Sequence, residues 1–242
     1  MGMEASFSFG RNIGQCFHYI KKKSAGLPTF QRDAKSKEDS SPIKDAFFNN
    51  TKQVAQGTLF ASGYGALFYL SMVYIPTWLN AYTDFSLGIA LKINALATLL
   101  LTLLIPFMAW ISDKYIRRTH FAAMSVAIMA IAAIPLFLWT KGGTIISIII
   151  TQAIFAVLIS VLSGTAPAIF VELFPTRDRL SGYSIAFNVG MGIIGGSTPM
   201  VVKWLIAKTG LVWFPAIYML LGAIVSLFAL LWIKDRSREP LL

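Results

Sequence analysis

The chain has 242 residues, of which 56% are hydrophobic and only 13% charged, with a mean hydropathy of +0.65. A soluble domain of this length carries far more surface charge, so the composition excludes that class and points to a polytopic α-helical membrane protein. The net charge of +10 leaves a nucleic acid or an anionic membrane surface as candidate partners, and the single Cys16 excludes a disulfide framework or a Cys-rich metal site within one chain.

Residues 1–53 read as a soluble N-terminal segment and linker. Phe9, Ile13, Phe17 and Ile20 fall at helical spacing ahead of Lys21–Lys23. That pattern fits a short amphipathic helix on an anionic leaflet, or equally a polar tail whose spacing is chance. Gly2 and Ser6 formally match an N-myristoylation pattern, one short enough to recur by chance. No apolar run before residue 54 is long enough for a secretory signal, and residues 31–45 form a polar linker. His18 and His120 are far apart and lack ligand spacing, so neither a metal nor another cofactor is expected.

Six apolar stretches follow, over roughly 54–79, 87–111, 121–139, 144–170, 183–207 and 211–233, and a polar tail closes the chain at 234–242. The predicted fold is an all-α integral membrane bundle in which short connections make successive helices antiparallel. Seventeen of the 21 Lys and Arg fall in four regions that alternate along this topology: the N-terminal segment, the 112–119 loop, the 172–182 loop and the tail. The opposite side holds only Lys92, Lys141, Lys203 and Lys208. The bias toward basic cytoplasmic loops therefore puts both termini in the cytoplasm. It also accounts for the net charge as topology and leaflet contact. No interleaving of aromatic and basic residues supports a nucleic-acid partner.

The spans differ in polarity. The third and sixth are nearly pure hydrocarbon and are expected to face lipid. The first contains Tyr64, Tyr69, Tyr74, Ser62 and Ser71, with small residues at Gly57, Ala61 and Gly65. The fourth contains Gln152, Ser160, Thr151, Ser163 and Thr165, with Ala156, Gly164 and Ala168 beside them. Polar groups at membrane depth need partners or water, so these two spans are the candidates to line a cavity, with interhelical hydrogen bonding as the simpler role. Tyr64, Tyr69, Tyr74, Gln152, Ser160 and Asn188 of span five form the candidate lining set. Gly192 and Gly196 of span five form a small-xxx-small pair suited to close helix packing. Helix-weakening glycines ahead of Pro199 also suit bending. No Asp or Glu lies at the centre of a span, and Lys92 and Lys203 lie near span ends, where their ammonium groups reach water.

Two loops carry the most specific signal. Ser112–Arg118 resembles the conserved loop motif of the major facilitator superfamily, Gly-x-x-x-Asp-Arg/Lys-x-Gly-Arg/Lys-Arg/Lys. Asp113, Lys114, Arg117 and Arg118 match it, while Ala109 and Ile116 stand at its two glycines. Glu172–Gly182, with Arg177 and Arg179, and the Asn188–Pro199 segment resemble the metabolite:proton symporter subgroup of proline/betaine, 2-oxoglutarate and shikimate carriers. Tyr74–Leu79 and Leu27–Phe30 fit the same subgroup.

The resemblance runs from about residue 26 to the end and implies the C-terminal six-helix half of a twelve-helix carrier. It implies that the first and fourth helices line the cavity, the order the polarity ranking gives independently. It also implies that Asp113, Lys114, Arg117, Arg118, Glu172, Arg177 and Arg179 serve an inward gate on the cytoplasmic face. The expected activity is symport of a small zwitterion or carboxylate with a proton, in a bacterial plasma membrane and in lipid contact. A facilitator rocks one half against the other, so transport is expected only with a separate first half or as a homodimer. Residues 1–25 have no apolar segments to stand in for that half. The alternative is a truncated, non-transporting remnant or a membrane interaction protein. No catalytic constellation points to an enzyme.

Overall fold

A computed structural model describes residues 50–176 and 178–235. The amphipathic segment, the myristoylation match, the polar linker, Arg177 and the last seven residues lie outside the described residues. Among the described residues, six helices are long and apolar enough to cross a membrane: α1 Thr51–Tyr82, α2 Leu87–Lys114, α3 Arg118–Lys141, α4 Ile145–Leu173, α5 Arg179–Thr209 and α6 Phe214–Trp232. They match the six predicted spans, mostly with an added turn at one or both ends. The connections are short and make neighbours antiparallel. Ser86 caps α2 by accepting from the Ile89 amide at 3.4 Å. Gly210, at φ +70°, ends α5 in the left-handed conformation that a side chain would resist.

Within the bundle α1 and α4 are central. Over their most apolar stretches they are 72% and 61% buried, against 28% for α5 and 17% for α2. Helix α2 packs on α4 and on the end of α1, α5 packs on α1, and α3 and α6 pack on each other and on α4 and α1 respectively. Helices α3 and α6 present apolar residues outward (Ile128, Ile131, Leu221 and Phe228), in keeping with the expected lipid-facing role, and α2 and α5 are the least covered pair. A bilayer core is as apolar as a protein core, so hydrocarbon character alone does not separate a lipid-facing helix from a packed one.

The α1–α5 interface explains the small residues of α1. A methyl group on Gly57 would meet Ala186 Cβ at 2.9 Å, and one on Gly65 would meet the Gly195 Cα at 2.9 Å. One on Gly190 would come within 2.5 Å of Ala61 Cβ. Thus Gly57, Ala61 and Gly65 face Ala186, Gly190 and Gly195. The packing glycines of α5 in this bundle are Gly190 and Gly195, not the expected Gly192 and Gly196. Among the described residues, a methyl group on Gly192 would meet nothing within 4 Å, and one on Gly196 would meet only the outer ring of Tyr69, at 3.8 Å. The five-residue spacing has a backbone cause. Asn188–Gly195 is π-helical, and the wider turn brings residues five apart toward the same face. Tyr69–Tyr74 of α1 is also π-helical. Each π segment is followed within a turn by a proline, Pro76 or Pro199, whose ring needs relief from the carbonyl one turn earlier.

Candidate functional site

At one end of the bundle, side chains join the ends of all six helices. Arg118 opens α3. Its guanidinium donates to Asp113 Oδ1 at the end of α2, with Nη2 at 2.7 Å and Nε at 3.0 Å, and its Nη1 pairs with Glu172 Oε1 at the end of α4. Each charge is misplaced for its own helix, since carboxylates are disfavoured at C-termini and a cation at an N-terminus. The placement makes sense as a three-helix ion pair. Burial makes its two arms unequal: the Glu172 side chain is 9% exposed and that of Asp113 is 58%. Three further links complete the set. Asn50, before α1, donates to Asp178 Oδ2 before α5 at 2.8 Å. Gln56 of α1 donates to the Trp232 carbonyl at 2.7 Å, satisfying the end of α6. Asp235, just past α6, accepts from both the amide and the hydroxyl of Thr119 at the start of α3.

The other gate candidates behave differently. Lys114 turns back over Trp110 and Tyr115, with Nζ at 5.2 and 5.3 Å from the ring centres. Arg179 Nε donates to the Phe174 carbonyl at 3.3 Å, closing the turn between α4 and α5. Arg117 is exposed and forms no part of the ion-pair cluster. Sequence reasoning missed Asn50, Gln56, Asp178 and Asp235, because none stands out until the helix ends are brought together.

At membrane depth the candidate lining residues separate into two groups. Tyr64, Tyr74, Gln152 and Ser160 are buried inside the bundle. The Tyr64 hydroxyl bonds to Ser163 Oγ at 2.8 Å and ties α1 to α4. Ser160 bonds back to the Val157 carbonyl within its own helix. Gln152 Nε2 donates to Asn94 Oδ1 of α2 at 3.3 Å, while its Oε1 is buried with no hydrogen-bond partner among the described residues. Tyr69 is half-buried and Asn188 is exposed, its amide donating only to the Ser184 carbonyl one turn back.

Asn188 is one member of an exposed stripe of small or polar residues on α5, with Ser184, Gly192 and Gly196. Helix α2 has a matching stripe that the sequence reading overlooked: Thr98 and Thr102 are exposed and bond back to the Asn94 and Thr98 carbonyls. Their four-residue spacing was the available signal. Such stripes are poor surfaces for lipid and good ones for water, a solute or another helix.

The Major Facilitator Superfamily profile matches residues 57–241. The ectoine/proline transporter of Corynebacterium glutamicum is 30% identical over 174 residues, covering 72% of this chain and 34% of that protein. The proline/betaine transporter of Salmonella typhimurium is 24% identical over 99% of this chain and 50% of its own length. The citrate-proton symporter of Klebsiella pneumoniae is 24% identical over 79% of this chain and 43% of its own length. The chain therefore spans a third to a half of the curated relatives it matches. No solved structure matches it.

Proposed function

The chain belongs to the major facilitator superfamily, and on that premise we propose that it forms the C-terminal six-helix half of a carrier for small zwitterions or carboxylates. The carrier works by proton symport across a bacterial plasma membrane, with both termini of this chain in the cytoplasm. The other half faces it from the same polypeptide, a separate chain or a second copy. The reading of residues 1–53 as a cytoplasmic segment and 234–242 as a cytoplasmic tail belongs to the same proposal.

The observation that carries this reading is the pair of exposed small and polar stripes on the two least covered helices, Thr98 and Thr102 on α2 and Ser184, Asn188, Gly192 and Gly196 on α5. A lipid-facing surface has no use for them, whereas a half that rocks against another around a wet cavity does. Tyr69 adds a half-exposed ring beside Gly196, suited to cation–π contact with a quaternary ammonium such as betaine. The relatives' names support the solute class, and one of them supports the proton. The Asp113–Arg118–Glu172 cluster serves as the inward gate. It holds the ends of α2, α3 and α4 together in one state and lets them part in the other.

The test is uptake of labelled proline, betaine and 2-oxoglutarate by vesicles containing the chain, with and without a co-expressed first half. Solute-dependent uptake in the paired vesicles is the expected result. Its absence in both preparations removes the transport reading and leaves that of a membrane interaction protein.

A further inference from the structure

We propose that the cavity between the gate-side ends of α3 and α6 binds the phosphate-ester headgroup of an anionic phospholipid. The site does not need the transport reading, but it rests on the proposed orientation, with this end of the bundle at the cytoplasmic face of a membrane. The cavity has a volume of about 430 Å³; Arg117 and Lys234 supply its cationic wall, with the His120 ring beside them. Leu230, Leu231 and Ile233 supply an apolar wall on the α6 side.

Its depth follows from the chain. Helix α3 begins at Arg118 and α6 ends at Trp232, so the cavity lies where the apolar stretches give way to water. Leu231 is 76% exposed on the outer surface, where acyl chains run, and Leu230 and Ile233 are buried behind it.

One carboxylate, Asp235, also lines the cavity and offsets part of its positive charge. Asp235 is committed to the first turn of α3, accepting from the Thr119 amide at 3.3 Å and from its hydroxyl, with His120 Nδ1 at 3.9 Å. Arg117 has no ion-pair partner among the described residues, and its planar guanidinium suits bidentate contact with phosphate oxygens. Lys234 also lines a neighbouring cavity of about 210 Å³ toward α1, with Lys52 and with Glu172, whose carboxylate pairs with Arg118. Basic pockets between helices at the cytoplasmic interface are where anionic headgroups bind. A soluble phosphate ester would satisfy the same cations, but would leave the Leu231 surface unused.

The experiment uses the full chain in phosphatidylcholine vesicles containing either brominated phosphatidylglycerol or brominated phosphatidylcholine at equal mole fraction. The readout is the Trp232 contribution to fluorescence, taken as the difference from Trp232→Phe. Brominated phosphatidylglycerol should quench that contribution about twofold more strongly. Arg117→Gln with Lys234→Gln should abolish the preference at unchanged helicity, and Arg117→Lys should keep most of it. Equal quenching by the two lipids in the unaltered chain overturns the proposal, whatever the folding of the double variant. So does a preference that survives in a well-folded double variant. A preference removed by millimolar glycerol 1-phosphate assigns the site to a soluble phosphate ester and overturns the lipid assignment.

Discussion

Gly65 of α1 and Gly195 of α5 approach so closely that a methyl group on Gly65 would lie 2.9 Å from the Gly195 Cα. Two backbones meet there with no side chain between them. This contact, with Gly190 over Ala61, fixes how α5 lies against the central helix. It also turns Asn188 and Gly192 outward.

Gly65→Val and Gly190→Val should each destabilise the bundle by about 1–3 kcal/mol, because neither backbone has room to yield. Gly192→Ala, with open space around it, should change stability by less than about 0.5 kcal/mol. Reversible unfolding in mixed micelles measures both. Equal losses at Gly190 and Gly192 would contradict the observed packing.

The two arms of the Arg118 cluster should be unequal. Glu172→Ala leaves a partly buried guanidinium with only its exposed partner, and should cost about 2–4 kcal/mol. Asp113→Ala removes a largely exposed carboxylate and should cost under about 1 kcal/mol. Thermal unfolding in detergent gives the comparison. If the cluster gates as proposed, Asp113→Asn should also alter uptake more than it alters stability.

Gln152→Met is expected to change stability by less than about 1 kcal/mol. It removes a long 3.3 Å bond to Asn94 but also an unpartnered buried oxygen, and these effects oppose each other. Trp78→Phe is the contrast, since it orphans the Val212 carbonyl that the indole now reaches at 2.8 Å. It should cost about 1–3 kcal/mol by the same unfolding measurement. A larger loss at Gln152 than at Trp78 would mean that Oε1 is satisfied by a water or a solute.

Much of this architecture is legible in the sequence, because a bilayer imposes length, apolarity and charge asymmetry directly. The six spans follow from these constraints, and polarity singles out α1 and α4, though the sequence suggests a cavity lining where the bundle buries them at its centre. The polar residues that mark α1 and α4 are the ones that hold them together, as Tyr64 and Ser163 do. What stays hidden depends on contacts between distant residues or on backbone geometry. Arg118 and Glu172 are 54 positions apart, and the charge pattern assigns them a common side without revealing their pairing. The Gly190–Gly195 spacing belongs to a π-helical turn, whereas reading with α-helical periodicity selects Gly192 and Gly196. The exposure of α2 was hidden because leucines that face lipid and leucines in a core look alike. Thr98 and Thr102 were the residues that distinguished them.

Once the other half is present, the Asn188 and Thr102 stripes are expected to face an aqueous path rather than lipid. Substituted-cysteine labelling tests it most directly. On a Cys16→Ser background, co-expressed with a first half, Asn188→Cys and Thr102→Cys should react with a membrane-impermeant maleimide. Betaine or proline should slow that reaction, while Ile131→Cys on the outer face of α3 should stay unlabelled. If Asn188→Cys and Thr102→Cys prove as unreactive as Ile131→Cys, the stripes do not line a solute path and the account fails.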